Sequence, residues 1–122
     1  MVVVVTGGRD YKDKEHVESV LEALNPDEVV AGDATGADTF ALEWAQSNMK
    51  SWRRFHADWH PGGGPLDRSA GPRRNGVMLR YARSMPDVIV VAFPGGNGTA
   101  DCVRQAHALG MPVLMAPPAV GG

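Results

Sequence analysis

Residues 90–106 read "VVAFPGGNGTADCVRQA": an apolar run breaks into three glycines within four positions, Gly95, Gly96 and Gly98, and a helical pattern begins at once. A β-branched strand that turns through glycine straight into a helix is half of a β-α unit, the building block of a parallel sheet. Glycines at such a junction permit positive φ and let a ligand approach main-chain N–H groups that a Cβ would shield. The first turn of the helix adds unpaired donors and a partial positive charge, worth a few tenths to about 1 kcal/mol to an anion besides its hydrogen bonds. Phosphate is the natural occupant, with Pro94 leading into a cradle of Gly95, Gly96 and Gly98 and Thr99 adding a hydroxyl donor. A tight turn that simply needs glycine is the alternative.

The rest of the chain repeats the pattern. "MVVVVTG" (1–7) reads as a buried strand, and Val17, Val20, Leu21 and Leu24 recur at i, i+3, i+4, i+7, predicting a helix over about 12–25 that "NPD" ends. "DEVVAGD" (27–33) is the second strand; Phe40, Ala41, Trp44, Ala45 and Met49 form the apolar stripe of a second helix; "SWRRFHA" (51–57) is the third strand. A long loop, "DWHPGGGPLDRSAG" (58–71), follows and is either a lid or a tolerated insertion. Pro72 suits the first position of a third helix, with Val77, Met78, Tyr81, Ala82 and Met85 along one side. "DVIVVAF" (87–93) is the fourth strand, a helix over about 99–109 closes at Gly110, and "MPVLMA" (111–116) is the fifth strand. Right-handed crossovers with one reversal of winding predict a three-layer α/β/α Rossmann-like fold, its five-stranded parallel sheet in the order 3-2-1-4-5. One domain over 1–117 and a fraying tail over 118–122 are expected.

That order sets strands one and four side by side, so "TGGRD" (Gly7, Gly8, Arg9) and "FPGGNGT" open one crevice at the switch point. A third polar patch, "AGDATGAD", follows strand two: Asp33 is placed to accept from a ribose hydroxyl, and Gly36 and Asp38 open the second helix, Asp38 as a cap on the plainer reading. Arg74 precedes Met78 by four and Tyr81 by seven, so it belongs to the apolar face of the third helix and requires a partner, either a ligand phosphate or a carboxylate. Arg73 is rotated off that face, and Asn75 is expected at the rim.

Charge and composition narrow the partners. Net charge is −2, yet eight of the twelve basic residues lie between Lys50 and Arg83 against Asp58 and Asp67 alone, which suits an anionic partner. Single-stranded nucleic acid with Trp52 or Trp59 stacking is a lower-ranked alternative to a small phosphorylated ligand. The glycines match neither the G-x-G-x-x-G dinucleotide fingerprint nor a phosphate loop ending in Lys and Ser or Thr, so no redox cofactor is expected. His56 and His60 lack a third ligand with recognisable spacing, so no metal is expected either. Cys102 is the single cysteine, which rules out an internal disulfide, and "MVVVV" is too short to cross a bilayer; no membrane association is expected.

With these residues in place the chain resembles the SLOG superfamily of Rossmann-like nucleotide-binding domains, and within it the YspA-like branch of unknown function, related to the lonely guy phosphoribohydrolases. "VTGGRD", "GDATGAD", "ADW", "AGPRRNGVM" and "FPGGNGTAD" occur in the family's order over nearly the whole chain. The single cysteine fits a reducing cytosol, so a cytoplasmic protein is expected, and the resemblance implies a bacterial or phage-encoded homodimer. It also matches Arg74 and Met78 to the helix start, and Gly95, Gly96, Gly98 and Thr99 to the phosphate loop, with which the lonely guy enzymes bind a nucleoside monophosphate before cleaving its N-glycosidic bond. The glutamate they carry three residues after the threonine is here Cys102, and Asp101, one position earlier, is the nearest carboxylate. Nucleotide binding is therefore the expected function, as sensor, carrier or sequestering module. Hydrolysis of a nucleoside 5'-monophosphate, with Arg74 on the phosphate and Asp101 at the sugar, is the alternative.

Overall fold

The N-terminal valines make a strand because two cores share them. In the computed structural model, which describes residues 1–116, β1 (Val2–Thr6) lies at the centre of the sheet. Val3 and Val5 enter one core, Val4 the other, and all three are fully buried. A strand covered on both faces needs apolar residues throughout, which is why the run does not alternate. β2 (Glu28–Ala31), β3 (Ser51–Arg54), β4 (Val88–Ala92) and β5 (Val113–Met115) complete a parallel sheet in the order β3-β2-β1-β4-β5. This is the expected Rossmann-like arrangement, with winding reversed between β1 and β4.

One helical layer holds α1 (Lys14–Leu24) and α2 (Ala37–Ser47), whose Val17, Leu21, Ala41, Trp44 and Ala45 pack on Val3, Val5, Val29 and Val91. The other holds α3 (Ala70–Arg83) and α4 (Asn97–Ala108), whose Met78, Leu79, Ala82, Cys102 and Ala106 pack on Val4, Val30 and Val90. Local chemistry sets the ends. Asp13 caps α1 by accepting from His16 N at 3.0 Å, and Asn25 closes it in the left-handed region with Pro26 behind. Gly110, at φ 72, turns the chain after α4 as expected.

Several expectations need correction. α3 begins at Ala70, so Pro72 is its third residue rather than its first; an amide there has no intrahelical acceptor either, and proline is tolerated. Val77 is 48% exposed and Leu79 takes its place against the sheet, while Met49 is 94% exposed because α2 has ended before it and its backbone has turned to φ 57. Met85 likewise lies past the end of α3. β2 and β3 are shorter than expected: the chain leaves the sheet after Phe55 N donates to Ala31 O at 2.9 Å. The tail assigned to 118–122 lies outside the described residues. Among the described residues, no helix is long and apolar enough to cross a membrane.

Candidate functional site

The two glycine turns meet at the carboxyl ends of β1 and β4. Main-chain pairing continues past both strands, with Phe93 N donating to Thr6 O and Gly8 N to Pro94 O, each at 2.9 Å. A Cβ on Gly8 would come within 3.1 Å of Gly95 Cα, one on Gly95 would meet Thr99 Oγ1 and lie 2.6 Å from Gly8 N, and one on Gly7 would lie 2.6 Å from Ala37 Cβ. These three glycines are demanded by turn packing. Gly96 and Gly98 are different, for nothing lies within 4 Å of where their Cβ atoms would be. Both line a crevice of about 540 Å³ at the switch point. α4 starts here with Gly96 as its cap; no side chain caps it and its first turn carries no acidic residue. The amides of Asn97, Gly98 and Thr99 thus have no helical acceptor, and no carboxylate in their own turn offsets the dipole.

Arg74 crosses the floor of the crevice from α3. Its Nη1 donates to Asp33 Oδ1 at 2.8 Å and to Phe55 O at 3.4 Å, and its Nε donates to Asn75 Oδ1 at 2.9 Å. A carboxylate partner, one of the two left open by the sequence, is supplied within the chain: the Arg74 and Asp33 side chains are 13% and 26% exposed. Gly32 makes room for this guanidinium, since a Cβ there would collide with Nη1 and lie 3.0 Å from Asp38 Oδ2. Asn75 is not at the rim. It is buried, and its Nδ2 donates to Gly98 O at 3.3 Å and to Asp101 Oδ2 at 3.0 Å, tying α3 to the first turn of α4.

Asp38 is not the helix cap, which is Gly36 in the left-handed region at φ 88. Asp38 lies in the first turn, buried, with Oδ2 accepting from Ala34 N at 3.3 Å and Oδ1 without a hydrogen-bond partner. Burial pushes its carboxyl up to about 7, against the pull of the Arg74 guanidinium. Asp101 lines the crevice with its side chain 16% exposed, its Oδ2 shared by Asn75 and Gln105 Nε2 (2.8 Å). Cys102, where the resemblance expects a glutamate, is fully buried among Val4, Val90 and Met78; burial pushes its thiol up to about 11, opposed by a hydrogen bond to Thr6.

Of the residues expected at the site, Gly7, Arg9, Asp38, Arg74, Asn75, Gly96, Gly98, Thr99 and Asp101 line the crevice. Gly8, Asp33 and Gly36 do not line it: Gly36 packs against Gly8 and Arg9, whose carbonyl accepts from Thr35 Oγ1 at 3.0 Å. Pro94 and Gly95 face a separate, more open hollow beside Val103, Arg104 and His107. Gly32 and Arg68 were not anticipated as lining residues, and Trp59, expected only as a stacking residue for nucleic acid, forms part of the wall. The 58–71 segment reaches the crevice through Trp59 and Arg68 because Asp67 accepts from Ser69 N at 3.0 Å and pairs with Arg73 at 2.7 Å, bending the chain into α3. A Cβ at Gly71 would lie 2.9 Å from the Trp59 ring. His56 sits 3.3 Å from Asp33, and His60 Nδ1 3.2 Å from Gly64 O. Among the described residues, no three His, Cys, Asp or Glu side chains gather as metal ligands.

The chain has relatives among known proteins. Residues 1–62 match the model of the family described as YAcAr: YspA, cpYpsA-related SLOG family. The chain is 34% identical over 124 aligned positions to the Gene 61 protein of Mycobacterium phage D29, spanning 92% of this chain and 93% of that one. Among solved structures it is similar to TM1055, a structural-genomics target, with a TM-score of 0.64 and 23% identity over 92% of this chain and 71% of the other. It is also similar to DNA processing protein A from Streptococcus pneumoniae, with a TM-score of 0.58 and 19% identity over 93% of this chain and 58% of the other. These two likenesses bear on the fold.

Proposed function

The chain belongs to the YspA, cpYpsA-related SLOG family, and from that premise we propose that it binds a nucleotide or nucleotide-derived phosphorylated ligand in the switch-point crevice, with phosphate on the first turn of α4. The observation that carries the reading is the contrast among the glycines. Gly7, Gly8 and Gly95 are used up in packing, whereas Gly96 and Gly98 are bare toward the crevice at a helix start with no cap of its own. A ligand phosphate there meets amide donors and the positive end of α4. Arg74, paired with Asp33, steadies the floor and leaves the phosphate chiefly to the α4 amides.

The hydrolase reading rests on Asp101 lining the crevice. Against it stand the burial of Cys102 and the engagement of Asp101 by Asn75 and Gln105, which favour a carboxylate held in place over one poised at a sugar. Single-stranded nucleic acid has less support, since Arg73 and Arg74 are in ion pairs and Arg53 and Arg54 lie over Tyr81 and Trp52. The homodimer belongs to the same proposal; exposed Met49, Trp52 and Val77 offer apolar area for it, and sedimentation velocity reads it directly. Calorimetric titration with AMP and ADP-ribose tests the binding reading: saturable binding of either is expected, and none for both removes it. Chromatography of the same mixtures for free base decides the hydrolase alternative.

A further inference from the structure

One buried polar atom of a residue that lines the crevice is left unanswered by the protein. Asp38 is 5% exposed and lines the crevice, yet its Oδ1 has no hydrogen-bond partner. A buried carboxyl oxygen in that state is costly unless something meets it. Asp33, the acceptor expected from the sequence, is already occupied: Oδ1 takes Arg74 Nη1, and Oδ2 takes Ala57 N and contacts the His56 ring, each at 3.3 Å.

Resting on the phosphate reading above, we infer that Asp38 is the crevice's acceptor for a sugar hydroxyl, so that a phosphorylated sugar lies with its phosphate on α4 and its hydroxyls toward α2. The charges around Asp38 support this orientation. Arg74 approaches it from α3, Asp33 from the turn after β2, and Cys102 from α4; Arg9, Asp10, Arg68 and Asp101 line the same crevice. The Arg74 guanidinium is already paired with Asp33, so an anion set beside Asp38 meets two carboxyl groups against that one cation. A hydroxyl carries no charge and donates to Oδ1. Because a donated hydrogen bond favours the carboxylate, a bound sugar lowers the pH at which Asp38 titrates from its value of about 7.

Calorimetry of the full chain with ribose 5-phosphate and with inorganic phosphate tests the inference. The wild-type chain is expected to prefer ribose 5-phosphate by about tenfold or more, the worth of a hydrogen bond to a charged group. Asp38→Ala is expected to lose that preference, because a methyl group neither accepts from a hydroxyl nor donates to one. Carboxyl-carbon NMR of the unsubstituted chain gives a readout independent of any variant's folding: Asp38 titrates at lower pH with ribose 5-phosphate bound than without it. A titration that rises or stays put on binding overturns the inference, as does an Asp38→Ala variant that keeps the sugar preference, and in both cases phosphate binding stands. If neither probe binds, the phosphate reading falls and this inference with it.

Discussion

Gly8 and Gly95 touch across the boundary between β1 and β4: a Cβ on Gly95 would lie 2.6 Å from Gly8 N, and one on Gly8 3.1 Å from Gly95 Cα. Two turns that carry their own strands' amides to one crevice must approach this closely, and side chains would hold them apart. Gly95→Ala is therefore expected to cost about 1–3 kcal/mol, the usual penalty for overpacking. Gly96→Ala, with open space around the new methyl, is expected to cost no more than the roughly 0.5–1 kcal/mol of placing alanine at a helix cap. Urea denaturation of the two variants side by side reads the contrast. Equal midpoints would show that the packing of the turns is not what requires Gly95.

This contrast marks how far the sequence could be read. Strand order and the meeting of "TGGRD" with "FPGGNGT" follow from the alternation of β-branched runs with helical stripes, and both are present. Which glycine serves packing and which serves the crevice is not legible, because it depends on atoms from the other turn. That Asp33 is the carboxylate beside Arg74 was not legible either, because folding closes a 41-residue separation in sequence to 2.8 Å. Met49 and Val77 were misplaced because apolar periodicity carries no information on where a helix stops or how wide its buried stripe is. The unpaired oxygen of Asp38 has no sequence signal at all.

Asp38 makes stability depend on pH. Its carboxyl is raised by burial from 3.8 to about 7, so the folded chain keeps a proton that the unfolded chain releases. Stability accordingly falls as pH rises between about 4 and 7, and levels off above. The difference between the two values corresponds to roughly 4 kcal/mol, taken as an upper bound. Asp27 and Asp67 are lowered and the Met1 amino group is raised from 8.0, so these groups titrate outside that window. Urea midpoints at pH 5.5 and pH 7.5 are expected to be higher at the lower pH, with the slope removed in Asp38→Asn. A wild-type midpoint that rises across this range contradicts the assignment.

Arg74→Gln removes the cation from both Asp33 and Asn75, at an expected cost of about 2 kcal/mol for a partly buried, hydrogen-bonded pair. Because Arg74 also holds the Asp38 carboxyl down, the variant moves Asp38's titration upward in carboxyl-carbon NMR. Arg74→Lys recovers only part of the stability, since an ammonium does not span Asp33 and Asn75 as the guanidinium does.

Cys102 is a core residue whose thiol is pushed up to about 11. Aromatic disulfide reagents at pH 8 are expected to leave it unlabelled in the folded chain and to label it in urea. Cys102→Glu, which restores the carboxylate of the lonely guy pattern, buries a charge in that core and is expected to destabilise by about 3 kcal/mol without producing free base from AMP. Base release by this variant would show that the position faces the ligand.

The central claim is that negative charge is held by the bare amides where α4 begins. Amide-proton NMR during titration with AMP tests it most directly. Saturable downfield shifts at Gly96, Asn97, Gly98 and Thr99, larger than those elsewhere in the chain, are the predicted result; saturable binding that leaves these four amides unmoved would contradict it.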